Sequence, residues 1–492
     1  MAGTVVQRLV SIACLAIIAR LISKDSYGVF RELLSLHLIC FVLLPIGFDQ
    51  LYVRDVADRL HYAKMLRIIV IISAFAVAIL VIVLKPWIAA KLNLQEHSYL
   101  LYVFWLPLLF QAAKLPRKIM LAAKLDFRNI GIGEFLNTFA TMAGGALLLF
   151  WWRTPAALYV AYTMGEVLEF AFLRTRPMGL TVDIGAGLAS MQQVGPKQWR
   201  FALFSSSDQV LNAMSANAPV LLLGGALSHE SAAKFSMASS LITMPLFLLV
   251  GALSRVTLPS LAGRNERELQ ARILDVLGGA AAYIVPVLIG VAIFAQPLVH
   301  IVLGRSWVEE TAPFVQWLAI YCIFVGLFSG ISSLDVIRDR MDIGLGWNVT
   351  TFVLRATALV WGQRYGVIPA VAAYSIVSAI MWLANGFILG WLLRCGTWKF
   401  HSTWLKFVPL WLALAIACWI TNRLLLQWPF IAVVTALLPA LLYIGAVHLF
   451  YPSTAQLFQR LLTSPRVQNA FAFLRRGESA DLASGGTGTG IP

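Results

Sequence analysis

Residues 68–84 read IIVIISAFAVAILVIVL, a run between Arg67 and Lys85 that contains no charged side chain. At about 1.5 Å per residue, a helix that extends this run by a few residues spans a bilayer hydrocarbon core of about 30 Å. We therefore predict a membrane-spanning helix over residues 65–88. Similar runs recur along the chain, which predicts that lipid is the solvent for much of its surface.

The composition of the whole chain agrees with this interpretation. Of its 492 residues, 60% are hydrophobic and 12% are charged, and the mean hydropathy is +0.80. A soluble globular protein is about half apolar and about a quarter charged. The formal charge of +15 comes from Lys and Arg residues that are spread thinly between apolar segments. Because they form no basic patch interleaved with aromatic residues, we expect no nucleic-acid partner.

Apolar stretches of membrane-spanning length recur along the sequence and predict an all-α integral membrane protein with about fourteen transmembrane helices. We predict no cleavable signal peptide, because the first stretch lacks a small-residue cleavage site. The predicted helices lie at residues 5–22, 27–50, 65–88, 98–122, 130–151, 156–173, 200–225, 232–254, 272–295, 312–333, 343–361, 366–393, 404–422 and 429–450.

The longest interior polar stretch divides the chain into two parts. Residues 174–199 are rich in glycine and proline and predict a cytoplasmic linker between an N-terminal lobe (1–173) and a C-terminal lobe (200–395). Residues 396–450 predict two further transmembrane helices. Residues 451–492 predict a cytoplasmic tail whose Gly- and Thr-rich end is disordered.

Short sequence patterns repeat between the two lobes at a nearly constant offset. Residues 129–133 (NIGIG) match residues 342–346 (DIGLG) at an offset of 213, and residues 161–162 match residues 373–374 at an offset of 212. Two further pairs have offsets of 205 and 212. Six predicted helices separate the members of each pair, so the repeats share one orientation. We therefore predict two pseudo-symmetric six-helix lobes related by an axis along the membrane normal.

The distribution of basic residues predicts the topology. If the N-terminus is cytoplasmic and the helices alternate, 27 of the 38 Lys and Arg residues fall on the cytoplasmic side and 10 fall on the other side. The remaining one, Arg355, lies inside a predicted helix. Because cytoplasmic loops carry such an excess, we predict that both termini are cytoplasmic and that the protein is a multi-pass component of a bacterial inner (plasma) membrane.

Enzyme motifs are missing from the sequence. It contains no GxSxG, P-loop or HExxH pattern. Its five cysteines have no CxxC spacing and mostly lie in or beside apolar runs, so we predict that they are small core residues. We expect no catalytic residue, no cofactor and no metal, and a driving force that comes from an ion gradient or from substrate consumption on the far side.

Five short segments carry motifs of a known family: residues 17–22 (IIARLI), 27–28 (YG), 233–238 (AKFSMA), 258–261 (LPSL) and 366–374 (GVIPAVAAY). They resemble the Wzx-type polysaccharide flippases of the multidrug/oligosaccharidyl-lipid/polysaccharide exporter superfamily. The resemblance spans roughly residues 5–395 and is specific for the superfamily rather than for a substrate. One departure is that many relatives have an Asp-Arg pair where this chain has Ala218 and Pro219.

The resemblance implies two lobes around a central cavity lined by the first, second, seventh and eighth helices. It also implies that a polyprenyl-diphosphate-linked oligosaccharide is flipped from the cytoplasmic to the periplasmic face by alternating access. A proton or sodium ion, membrane lipid and polysaccharide polymerase machinery are further candidate partners. Two alternatives stay open. One is a cation-coupled small-molecule exporter of the same superfamily, and the less favoured one is a membrane polysaccharide polymerase or ligase.

Polar residues form a stripe on the predicted helix 200–225. Ser205, Asp208, Gln209, Asn212 and Ser215 are spaced so that they lie on one helix face. Polar groups in a membrane helix need water, a partner helix or a substrate. We interpret the stripe as a cavity lining, and an inter-helix hydrogen-bonded seam is the alternative.

Basic residues are the candidates for binding a diphosphate, which requires fixed positive charge. Arg355 continues a second polar stripe with Asn348 and Thr351, and a structural ion pair is its alternative role. Arg20 and Arg31 lie at the ends of the first two predicted helices and are assigned to the cavity. Arg54 and Arg255 are weaker candidates, because cytoplasmic anchoring explains them equally well.

We predict structural or solvated roles for the other ionisable residues of the membrane helices. His37 lies in the middle of a predicted helix and is interpreted as a hydrogen-bonded structural residue. Glu134, Glu166 and Glu169 lie near the cytoplasmic ends of their predicted helices, where we expect solvation to be sufficient.

Overall fold

The computed structural model describes residues 2–54, 59–123, 126–176, 191, 194–261, 266–332, 334, 338, 340–425, 427–452 and 454. Within these ranges the chain forms nineteen α-helices and two short 3₁₀-helices, and no β-strand. The prediction of an all-α protein is therefore confirmed. Most of the predicted linker and nearly all of the predicted C-terminal tail lie outside the described residues.

The first half of the chain contains eight helices. They are α1 (Ala2–Leu21), α2 (Lys24–Val42), α3 (Phe48–Arg54), α4 (Arg59–Val83), α5 (Lys85–Lys91), α6 (Trp105–Ala123), α7 (Phe127–Leu148) and α8 (Pro155–Arg174). The 3₁₀-helix Ser98–Leu101 precedes α6.

The second half contains seven helices, followed by four C-terminal ones. The seven are α9 (Pro196–Ala226), α10 (His229–Leu261), α11 (Glu266–Ile293), α12 (Ala295–Leu303), α13 (Arg305–Phe328), α14 (Met341–Gln363) and α15 (Val367–Leu392). The four are α16 (Thr397–Leu405), α17 (Val408–Leu424), α18 (Pro429–Thr435) and α19 (Leu437–Phe450). Apart from the short α3, the two halves follow the same order of long and short helices, and their superposition stays a prediction.

Several predicted helices are interrupted in the structure. The predicted helix 27–50 consists of α2 and α3, with a turn in which Ile46 and Gly47 have φ values of 48° and 76°. Pro45 lacks an amide N–H, and a left-handed backbone conformation cannot continue a helix. The predicted helix 429–450 is likewise divided, into α18 and α19.

Nine helical segments among the described residues are long and apolar enough to cross a membrane. The chain is therefore a multi-pass membrane protein, whereas a count of fourteen crossings stays a prediction. The uncharged run at residues 68–83 lies in α4. One face of α4 exposes Ile72, Phe75, Ile79 and Val83 to the surroundings, while Met65 and other apolar residues are buried. Such large apolar exposed faces indicate contact with lipid.

The four C-terminal helices pack against the second half. The indole of Trp411 in α17 donates a hydrogen bond to the Ala281 carbonyl of α11, and Asn422 donates to the Ile293 carbonyl, both at 3.0 Å. A separate hydrophobic cluster joins α11, α15, α16 and α17. These helices are thus an addition to the second half rather than part of its contact with the first.

The two halves meet where α2 packs against α9 and α10. A glycine permits close backbone approach at each end of this contact. A Cβ atom at Gly28 would lie 1.9 Å from the His229 carbonyl oxygen, and one at Gly47 would lie 2.0 Å from that of Ala202. Both distances are far shorter than van der Waals contact, so any larger residue would separate the halves.

Candidate functional site

Arg20 lies at the end of α1, beside the last turn of α12. Its guanidinium donates hydrogen bonds to the carbonyl oxygens of Ile301 (2.9 Å), Val302 (3.0 Å) and, in its own helix, Ala16 (2.7 Å). Carbonyl groups at a helix C-terminus lack intrahelical partners and carry partial negative charge. Arg20 therefore joins the two halves at the bundle end where α1 ends and α2 begins, which the charge distribution predicts to be the outer end.

Arg31 lies on α2, near Tyr27. Its Nε atom is buried and has no hydrogen-bond partner among the described residues. Arg31 is seven residues from the start of α2, which places it about 10 Å from the predicted outer end. A buried donor without a partner is energetically costly unless a ligand or water satisfies it.

Arg355 lies on α14 at a similar depth, about 12 Å from the end of its helix. Its guanidinium carbon is 6.0 Å from the centroid of the Tyr321 ring, and its buried Nε has no hydrogen-bond partner among the described residues. A cavity of about 10 Å³ beside it is lined in part by Ser215, Pro219 and Tyr374. Arg355 is thus held by an aromatic ring rather than by a carboxylate.

The polar stripe on α9 lies against α14. Asn348 donates a hydrogen bond to one carboxylate oxygen of Asp208 at 2.6 Å, and Asn212 donates to the other at 3.3 Å. Gln209 lies beside Asp49 of α3. Asp208 is half-buried and Asn212 is exposed. The two polar stripes thus meet as an inter-helix seam, and the cavity role of Asp208, Gln209 and Asn212 stays a prediction.

Five charged or titratable residues connect the halves at the predicted outer end, and we call them the inter-half cluster. Glu310 of α13 pairs with Lys24 of α2 and, at 3.2 Å, with Lys234 of α10. The Glu32 carboxylate of α2 is fully buried and lies 2.7 Å from Nδ1 of His229 at the start of α10. These contacts hold α2 against α10 and α13.

A second group of charges lies inside the first half. Lys114 of α6 contacts the carboxylates of Glu166 (2.5 Å) and Glu169, both on α8. The side chains of these three residues are 7%, 5% and 3% exposed. Because isolated charges are very costly in an apolar interior, the lysine and the two carboxylates depend on one another.

Three further residues of α6 and α7 extend this group. Lys118 lies 2.7 Å from Glu134 and 3.3 Å from Glu169, and the amide of Asn137 donates to Glu166 and Glu169 at 2.9 Å each. We call the six residues the ionic cluster: Lys114, Lys118, Glu134, Asn137, Glu166 and Glu169. They border a cavity of about 280 Å³.

A hydrogen-bonded chain extends deeper from the ionic cluster. Gln111 donates to the Tyr162 hydroxyl at 2.6 Å, and its carbonyl oxygen lies 3.0 Å from Nε2 of His37. His37 is fully buried and has edge contacts with the rings of Phe104 and Tyr162. These contacts agree with the structural role that the sequence predicts for His37.

Comparison with known proteins places the chain in a family. A family model described as "Polysaccharide biosynthesis protein" matches residues 17–312, more than half of the chain. The chain belongs to this polysaccharide biosynthesis protein family. Its Wzx-type resemblance, inferred from short motifs, is thereby confirmed.

Two curated relatives of this polysaccharide biosynthesis protein cover about three quarters of it. The lipopolysaccharide biosynthesis protein WzxC of Escherichia coli (strain K12) is 21% identical over 385 residues, 76% of each chain. The teichuronic acid biosynthesis protein TuaB of Bacillus subtilis (strain 168) is 20% identical over 375 residues, which are 74% of this chain and 75% of TuaB. A solved structure of the lipid II flippase MurJ in an inward closed conformation shares the fold, with a TM-score of 0.70, 13% identity, and coverage of 92% of this chain and 98% of MurJ.

One expectation from the sequence is wrong for this polysaccharide biosynthesis protein. Solvation was expected to satisfy Glu166 and Glu169, yet both are buried and are neutralised by Lys114 and Lys118. A helix end that is near the membrane surface is still enclosed when three other helices surround it. Glu134, whose side chain is 48% exposed, does remain accessible to solvent.

The sequence does contain a signal for the ionic cluster, although none of its charges is isolated within a membrane helix. Gln111, Lys114 and Lys118 are spaced at i, i+3 and i+7 on one face of α6, and Tyr162, Glu166 and Glu169 are spaced at i, i+4 and i+7 on α8. Two such stripes of opposite charge in neighbouring helices indicate an ion-pair network. The side chains of Arg54 and Arg255 lie outside the described residues.

Proposed function

We propose that this polysaccharide biosynthesis protein flips polyprenyl-diphosphate-linked oligosaccharide repeat units from the cytoplasmic to the periplasmic face of a bacterial cytoplasmic membrane. Residues 1–173 and 200–395 act as two lobes that rock about the substrate. The names of WzxC and TuaB support polysaccharide synthesis, and that of MurJ supports the flipping of a lipid-linked precursor. We assign the chain no enzymatic step.

One observation carries the alternating-access mechanism. The inter-half cluster and Arg20 join the halves at the predicted outer end through ion pairs and hydrogen bonds. At a membrane surface, such polar contacts can exchange for contacts with water at little net cost. These polar contacts are the ones that an opening of the outer end would break and that water would replace.

Arg31 and Arg355 are the residues that we assign to the substrate diphosphate. Both lie at similar depth, and neither forms an ion pair with a carboxylate of the described residues. A diphosphate accepts several hydrogen bonds and pairs well with guanidinium groups. Arg20 contributes positive charge at the same end, although three of its hydrogen bonds already go to carbonyl oxygens in this structure.

Both termini are cytoplasmic in this proposal, in agreement with the excess of basic residues on that side. We also propose that transport is coupled to protons or sodium ions, with Asp208 as the candidate carboxylate. The protein further contacts polysaccharide polymerase machinery in this proposal.

The proposal is tested in the host strain by replacing the chromosomal gene with variants. Deletion should abolish surface polysaccharide and cause lipid-linked repeat units to accumulate on the cytoplasmic face. Arg31→Gln and Arg355→Gln should each lower surface polysaccharide several-fold at normal protein abundance. The matched control is Arg364→Gln, because Arg364 is exposed at the end of α14. Unchanged lipid-linked intermediates after deletion, together with altered resistance to small toxic compounds, would favour a small-molecule exporter.

A further inference from the structure

The cavity inside the first half is separate from the contact between the halves. It has a volume of about 280 Å³ and is bordered by α1, α2, α6, α7 and α8. Its mouth lies at the predicted cytoplasmic end, where the Lys118 and Glu134 side chains are 30% and 48% exposed. The cavity is thus accessible from the side opposite to the inter-half cluster.

The buried carboxylates of this cavity are paired with lysines. Lys114 and Lys118 provide two positive charges, and Glu166 and Glu169 provide two negative ones. The third carboxylate, Glu134, pairs with Lys118 at the mouth and leaves the whole set with one net negative charge. A set of this kind has no net electrostatic attraction for a diphosphate. Among the described residues no group of three His, Cys, Asp or Glu side chains is placed to hold a metal ion.

Hydrogen-bonding capacity nevertheless remains on the cavity wall. The Thr138 hydroxyl accepts a hydrogen bond from Gln7 at 2.6 Å, which leaves its own proton to donate. Asn137 uses its amide nitrogen for the two buried carboxylates, and its carbonyl oxygen has only a weak contact of 3.4 Å with Thr141. Phe41 adds an apolar face to the wall. Neutral donors and acceptors beside an aromatic ring suit a hydroxyl-rich ring with apolar C–H faces.

The size of the cavity sets the size of its occupant. Small-molecule sites have volumes of about 300–1,000 Å³, so a cavity of this volume takes a single ring rather than a whole repeat unit. A purely structural ion network would be expected to pack without such a space, because protein interiors are close-packed. The space beside the ion-pair network is therefore large enough for a small ligand.

We propose that this cavity binds one neutral sugar ring of the saccharide, with Asn137, Thr138 and Phe41 as its contacts. The inference rests on the proposed function and places part of the substrate inside the first lobe, away from the arginines that hold the diphosphate. It makes these three residues determinants of saccharide specificity.

The test compares two probes on the purified full-length protein in lipid nanodiscs. One is polyprenyl diphosphate carrying the complete repeat unit from the host strain, and the other is the same lipid diphosphate without sugar. The wild type should bind the saccharide-bearing lipid more tightly. Thr138→Val and Asn137→Ala should each reduce that preference about 3- to 10-fold, the value of one hydrogen bond, and leave affinity for the bare lipid unchanged. Thr163→Val is the matched control, because Thr163 donates a hydrogen bond to the Tyr159 carbonyl of its own helix and has no other side-chain hydrogen bond among the described residues.

Each other outcome is decisive. A wild type that binds neither lipid contradicts the proposed function itself. A wild type without preference for the saccharide, or variants that retain the preference, contradicts the sugar site and leaves the flippase proposal in place. Equal weakening for both lipids indicates a structural role. A second measurement avoids dependence on variant stability: alkylation of Thr138→Cys in inside-out vesicles should be slowed by the saccharide-bearing lipid and not by the bare one.

Discussion

Replacement of Lys114 by methionine, a side chain of similar length without charge, tests the ionic cluster directly. The change would leave Glu166 without its cation inside the protein, whereas Glu169 would retain Lys118 at 3.3 Å. Removal of one partner from a buried ion pair costs about 3–5 kcal/mol. Because Asn137 still donates to both carboxylates, we expect the lower end, about 3 kcal/mol, which is about a 100-fold shift in the folding equilibrium.

The assay is the fraction of a fluorescent fusion protein that remains monodisperse in detergent after heating through a temperature series. Lys114→Met should lose its monodisperse peak at a clearly lower temperature than the wild type. Glu134→Gln is the matched control in the same cluster. The Glu134 side chain is 48% exposed, and exposed ion pairs contribute about 0–1 kcal/mol, so this variant should behave like the wild type.

A compensating variant distinguishes charge from packing. Lys114→Met combined with Glu166→Gln leaves the buried Glu169 paired with the partly exposed Lys118, so no buried carboxylate lacks a cation. The double variant should recover at least half of the lost thermal stability. If Lys114→Met is as stable as Glu134→Gln, or if the double variant is no better than the single one, the argument from buried charge is refuted.

Three further predictions concern topology, the inter-half cluster and the seam. A reporter that is active only in the cytoplasm should be active when it is fused after residue 452. Activity of a reporter that works only in the periplasm, fused at the same position, would contradict the predicted topology. Glu310→Lys brings three ammonium groups together, and their repulsion should open the outer end. Because Thr311 is fully buried, alkylation of Thr311→Cys by a reagent added from outside should then increase several-fold. Glu309→Lys is the control, and equal labelling in both variants would oppose the proposed opening. Asp208→Asn should keep normal protein abundance, whereas Asp208→Leu should lower it, because only the amide preserves the hydrogen bond with Asn348 across the seam. If Asp208→Asn reduces export at normal abundance, Asp208 has a coupling or ligand role.

Much of the fold was predictable from hydrophobic runs because lipid leaves few alternatives for an apolar segment. The runs indicated the positions of the long helices. Breaks inside helices were less predictable. Pro45 and Gly47 interrupt the second predicted helix, whereas Pro116 and Pro219 lie within continuous helices α6 and α9. A helix can continue through a proline where neighbouring helices stabilise its kinked conformation. The sequence does not show which helices are neighbours.

The site was predictable only in part, for a related reason. The pairing of the α9 stripe with Asn348 follows from two polar faces that must find partners in the membrane. The burial of Glu166 and Glu169 depends instead on how α2, α6 and α7 surround α8, which is information about tertiary packing. Distance from a helix end is therefore a poor measure of solvation in a helical bundle.

The distribution of paired and unpaired charge suggests how the two substrate parts are separated. Arg31 and Arg355 lack carboxylate partners among the described residues and lie toward the predicted outer end. The ionic cluster is internally paired and lies toward the predicted cytoplasmic end. An anion is attracted to the unpaired arginines. A neutral sugar can form hydrogen bonds beside the ionic cluster without separating its ion pairs. A lipid-linked saccharide has both parts in one molecule, so the two sites together would select for the complete substrate over either part alone.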